Sequence, residues 1–142
     1  MSDFAITTTS VEPRVDTRWR ASRHGQFVAE SGTLDLSKFV AGTHYNIGIR
    51  KDNVIPSGVA VELDAATKMY VPWDPAADTV APIAGYINDN QGINVFRVDG
   101  TRSPKAPFAR LIHGFLEAKY LPIEAQATAA PTAATVTQIT FV

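Results

Sequence analysis

Residues 55–87, IPSGVAVELDAATKMYVPWDPAADTVAPIAGYI, constrain the fold more than any other stretch of this chain. Apolar residues recur there in short strand-like runs, each closed by turn chemistry, and none carries a helical period. Ile55-Pro56-Ser57-Gly58 has proline second and glycine fourth, the signature of a type I turn. Beyond it Val59, Val61 and Leu63 alternate with Ala60 and Glu62, which predicts a strand with one buried face. Residues 64–68 are a polar connection of hairpin length to Met69-Tyr70-Val71, whose β-branched and aromatic content suits a paired strand. Pro72 and Pro75 end that run around Trp73, and residues 80–87 form a third, in which Gly85 marks a bulge or the close approach of another backbone.

The remaining sequence arranges itself around this block. With 9 glycines and 9 prolines spread over 142 residues, the chain is expected to form a single, turn-rich, mainly β domain. Residues 1–25 read as an extended N-terminal arm, residues 26–122 as the β-rich domain, and residues 123–142 as an Ala/Thr-rich linker with a terminal β-strand. In the arm, Phe4, Ile6, Val11, Val15 and Trp19 are too scattered to make a buried face. They suit a solvated terminus or an arm that orders on a protein partner, with Trp19 as its anchor. Residues 27–29 suggest a short strand, Ser31-Gly32 a turn, and Leu36 with Phe39 a single helical turn capped by Asp35 or Ser37.

Residues 108–121, FARLIHGFLEAKYL, could be written as a helix. Gly114 at the centre costs about 1 kcal/mol there, and two strands bent at the glycine fit better. Residues 136–142 alternate with period two, so Val136, Ile139 and Phe141 belong to a strand that must find a sheet edge, on its own domain or on a neighbour.

Chemistry is hard to place on this sequence. There is no cysteine, and His24, His44 and His113 lie on separate segments without metal-ligand spacing. No nucleophile elbow, P-loop or dinucleotide fingerprint occurs, and the loop carboxylates lack a calcium-loop pattern. The expectation is therefore a non-enzyme with no cofactor, no metal and no catalytic residue. Thirteen basic against 14 acidic side chains give a net charge of -1, which provides no field for nucleic acid or an anionic membrane. Without a leader pattern or a spanning apolar run, synthesis in the cytoplasm is expected. Tyr45, Tyr70, Trp73, Tyr86 and Tyr120 could line a sugar-binding face, or could be core or interface aromatics.

Taken in order, GTLDLSKFVAGTHY, IPSGVAVELDAATKMYVPWD, the Ile83-Ala84-Gly85-Tyr86-Ile87 strand and LIHGFLEAKYLP resemble the head decoration (capsid cement) proteins of tailed bacteriophages, the phage lambda head decoration protein family. The resemblance covers residues 32–122. It implies a small β-barrel, β-tulip-like, that binds the major capsid protein on the outside of the expanded head. It further implies homotrimers at three-fold and quasi-three-fold positions, a virion surface location, and an arm that orders by adding to a strand of the capsid protein. The alternative is a carbohydrate-binding β module on a virion or cell surface.

Overall fold

The computed structural model describes residues 16–27, 29–48 and 51–142. Strand β1 (Ala29–Asp35) is followed by the two-residue β2 (Val54–Ile55), then β3 (Ala60–Asp64) and β4 (Met69–Pro72). Next come β5 (Gly85–Ile87), β6 (Ile93–Asn94), β7 (Lys105–Leu111) and β8 (His113–Leu116), then the helix α1 (Glu124–Ala129) and β9 (Gln138–Phe141). Five strands close a barrel in the order β1-β4-β3-β5-β7, with β7 returning antiparallel to β1 from Ala29↔Leu111 to Asp35↔Lys105. The fold is thus mainly β, as composition and turn spacing predict, and closes into a small β-barrel, as the resemblance implies.

Residues 60–87 supply three adjacent staves of that barrel. The β3–β4 hairpin pairs Asp64 with Met69, and its tight turn holds Lys68 at φ 61°. Strand β5 lies on the other side of β3, Ala60 opposite Tyr86. The expected alternation holds only at the start of β3. Val59 and Val61 point into the barrel core with Leu34, Phe39 and Phe108, but Ala60 is equally buried on the outer side and Leu63 is 47% exposed. The reason is the pairing: β5 lies beside β3 only at Ala60 and Val61, and from Glu62 onward β3 runs out with β4 alone.

The Ser31-Gly32 turn is corrected outright, because β1 passes straight through it. Gly32 pairs with Phe108, and a β-carbon there would sit 2.7 Å from the Phe108 ring and 3.0 Å from that of Tyr70. The glycine makes room for two aromatic rings and does not reverse the chain. Downstream, Asp35 does cap the short 3-10 turn Leu36–Lys38, its Oδ1 accepting from the Ser37 backbone N–H at 3.2 Å. Residues 108–121 hold two strand segments and no helix across Gly114, but the break falls at Ile112 and not at the glycine, which lies within β8, and Ala118–Tyr120 form a 3-10 turn.

A second core covers the outside of the barrel wall. Odd and even positions of the same strands feed different cores, so Ile87 faces inward while Tyr86 packs outward with Trp19, Trp73, Ile83 and Leu116. Residues 123–142, expected as a linker with a terminal strand, form much of the cover: α1 and the 3-10 turn Ala130–Thr132 stand where the linker was expected, and β9 is the strand. Ala/Thr content reads as low complexity, yet Gln126 and Ala130 are buried against the barrel. Strand β9 pairs in parallel with β8 of the same chain, from His113↔Gln138 to Leu116↔Phe141. Ile139 and Phe141 pack on the second core, and Phe141 meets the Tyr86 ring edge-on at 6.5 Å.

Candidate functional site

Residues 16–25, read from sequence as the end of an extended arm, instead belong to a strap, residues 16–27, across the second core. Trp19 is fully buried. Its indole Nε1 donates to Ser57 Oγ at 3.2 Å, and its ring lies on Gly58 and stacks at 6.3 Å from Tyr86. At Trp19 and just after it the backbone is tied to β8 and its exit: the Glu117 N–H donates to the Trp19 carbonyl, and the Ala21 N–H to the Phe115 carbonyl, both at 2.9 Å. Arg20 donates to the Asn88 and Asn90 side-chain oxygens in the β5–β6 loop. Burial lowers the pKa of Arg20 from its ordinary value. Trp19 therefore cannot also serve as an arm contact in this conformation. The other four arm candidates, Phe4, Ile6, Val11 and Val15, lie outside the described residues.

The aromatic face is not formed. Tyr45, Trp73 and Tyr86 are buried, with at most 3% of their surface exposed. Tyr70 lies edge-on to Phe108 beneath the Arg110 guanidinium, and Tyr120 sits between Arg18 and Lys119. Of the tail candidates, Val136 is exposed, whereas Ile139 and Phe141 pack within their own subunit.

What the described surface offers to a partner is apolar and peripheral. Phe27 is 91% exposed beside a depression lined by Arg20 and the 88–92 loop. Val98 is wholly exposed at the tip of a small hairpin closed by the Phe96↔Arg102 bridge, with Asp99 Oδ1 accepting from the Thr101 N–H and hydroxyl. These single side chains carry no periodic signal in the sequence, so their exposure could not be read there.

A concavity of about 630 Å³ lies between the β3–β4 hairpin, His44 and α1. Its carboxylates are Glu62, Asp64 and Asp74. Burial raises the Glu62 pKa, the Asp74 backbone N–H opposes this, and the charges of Asp74 and Asp64 add to it. His44 accepts the Val40 backbone N–H at Nδ1 (2.9 Å) and meets Phe39 edge-on; burial lowers its pKa, against a smaller pull from Asp74. Because the folded value lies below 6.5, the unfolded chain binds the extra proton, so this contribution to stability is present above pH 6.5 and lost as pH falls through the folded value. Glu62 acts in the opposite sense, favouring the fold below 4.5 and losing that contribution as pH rises through its folded value. Replacing His44 with Gln is expected to flatten the fall in denaturant midpoint below pH about 6.5. Parallel wild-type and variant profiles would show that His44 does not cause it.

Among the described residues, no group of three or more His, Cys, Asp or Glu is placed to hold a metal ion. No protein-family model, curated protein or solved structure matches this chain.

Proposed function

We propose that this protein is a capsid decoration protein, a cement that binds the outside of an expanded bacteriophage head as trimers at three-fold and quasi-three-fold positions and stabilises it against DNA pressure. The observation that carries the reading is that the stretch on which the resemblance rests forms the adjacent β4, β3 and β5 staves, a rigid body with its strand edges closed. Exposed apolar side chains such as Phe27 and Val98 stand outside it, where a lattice could cover them. The sugar-binding alternative loses support because most of its aromatics are interior.

Cementing works by linkage: a ligand that binds only the expanded lattice lowers its free energy by RT ln(1 + [L]/Kd) per site, multiplied over a closed shell. In this reading residues 1–15 supply the arm, with Phe4, Ile6, Val11 and Val15 as its apolar contacts. Deleting residues 1–15, and no further, is expected to leave the circular dichroism spectrum unchanged while abolishing co-sedimentation with expanded heads. Co-sedimentation at normal occupancy would remove the arm from the mechanism. Failure of the full chain to bind expanded heads would remove the function itself.

A further inference from the structure

His24 and His113 are 89 positions apart, yet their imidazole Nε2 atoms lie 2.9 Å from each other. Three contacts fix this approach. The Ala21 N–H ties the strap to the Phe115 carbonyl. The His24 ring leans on Phe115 at 5.6 Å between centroids. The His24 carbonyl lies so near Gly114 that a β-carbon there would come within 2.6 Å, so the crossing needs a glycine in β8.

We propose that His24 and His113 form a surface site for a divalent late transition-metal ion of the Zn2+, Ni2+ or Cu2+ class, bound through both Nε2 atoms. Two nitrogens each about 2.0–2.1 Å from one metal ion stand about 2.9 Å apart at a right angle and about 3.3 Å apart at a tetrahedral angle. The observed separation falls at the first of these values, so chelation needs little movement of either ring. In the metal-free pair one ring must donate a proton to the other's lone pair. A metal ion takes that proton's place and uses both lone pairs.

The ligand set also selects the ion. Imidazole suits Zn2+, Ni2+ and Cu2+, whereas Ca2+ and Mg2+ require oxygen donors. The nearest carboxylate in the depression beside His113, Glu30, is already held by Arg110 at 2.6 Å, so water completes the coordination. Bound there, the ion staples the strap carrying Trp19 to β8. This inference does not depend on the capsid reading.

The test is calorimetric titration of Zn2+ and Ni2+, with Ca2+ as control, into the metal-free full chain at pH about 7.5, above the ordinary imidazole pKa. Imidazole C–H resonances are followed by NMR in parallel. One site is expected for Zn2+ and Ni2+ and none for Ca2+, with the His24 and His113 resonances shifting together and those of His44 unmoved. His24→Ala and His113→Ala should each weaken binding by more than the roughly 10–100-fold that loss of a mere supporting partner can cost. Should His113→Ala fail to fold, the exposed His24→Ala decides alone. Wild-type affinity in His24→Ala, or metal shifts that bypass these two rings, would overturn the site.

Discussion

Replacing Trp19 with alanine is expected to destabilise the protein by about 3–5 kcal/mol, a large part of the 5–15 kcal/mol that holds a typical domain folded. The indole is fully buried, stacked on Tyr86 and seated over Gly58, and the strap around it is too short to collapse into the space left behind. Trp19→Phe separates volume from hydrogen bonding. It keeps most of the apolar contact but removes the Nε1 donor, leaving Ser57 Oγ with its longer bond to the Ile87 carbonyl at 3.4 Å. Its cost should fall near the 0.5–1.5 kcal/mol of one ordinary hydrogen bond plus some lost packing. Urea unfolding checks both variants. A lower midpoint at unchanged slope means that the strap unfolds with the barrel, whereas a reduced slope would mean that it has already come away. An unchanged Trp19→Ala midpoint would show that the strap contributes nothing to stability.

That result bears on how an arm can be defined. A truncation at residue 20 removes Trp19 and opens the second core, so lost capsid binding would then report on folding. A truncation at residue 15 leaves the strap whole. Sequence alone could not place this boundary. A single tryptophan among arginines has no period, and its partners Ser57, Tyr86 and Leu116 come from three distant segments.

The contrast between legible and illegible parts is physical. The β3–β4 hairpin, the strand ending at Ile87 and the terminal strand are readable, as is the replacement of a helix by β7 and β8 though not the site of their break, because alternation and turn residues act over a few positions. Whether β9 paired at home or abroad was open in the sequence. The structure places it beside β8 in parallel, a pairing that needs a long crossover and so leaves no hairpin signature. Gly32 was misread because a glycine that admits Phe108 and one that turns the chain are written with the same letter. The His24–His113 contact escaped for a related reason, since metal-ligand spacing is a local rule and this pair is assembled by the fold.

Gln126 is the sharpest case, and its removal should have the second-largest effect. The side chain is buried in a segment that composition alone marks as a linker, and it acts as a short piece of β-sheet. Its Oε1 accepts the Ala60 N–H at 2.9 Å, while Nε2 donates to the Ala60 carbonyl at 3.1 Å and the Trp73 carbonyl at 2.8 Å. These bonds satisfy the outward backbone of β3 where the second core excludes water. Gln126→Leu preserves bulk but strands the Ala60 N–H, whose desolvation alone costs about 1–3 kcal/mol. With the weakened carbonyls added, a total near 2–4 kcal/mol is expected from urea midpoints. Gln126→Glu makes the argument specific to the amide: the carboxylate still accepts from Ala60 but cannot donate to either carbonyl unless protonated, and burial without a cation opposes its charge. Its destabilisation should therefore shrink as pH is lowered toward the carboxyl range, while that of Gln126→Leu should not change. If the two variants ran parallel in pH, the paired donor and acceptor roles assigned to Gln126 would be wrong, and its burial would be packing alone.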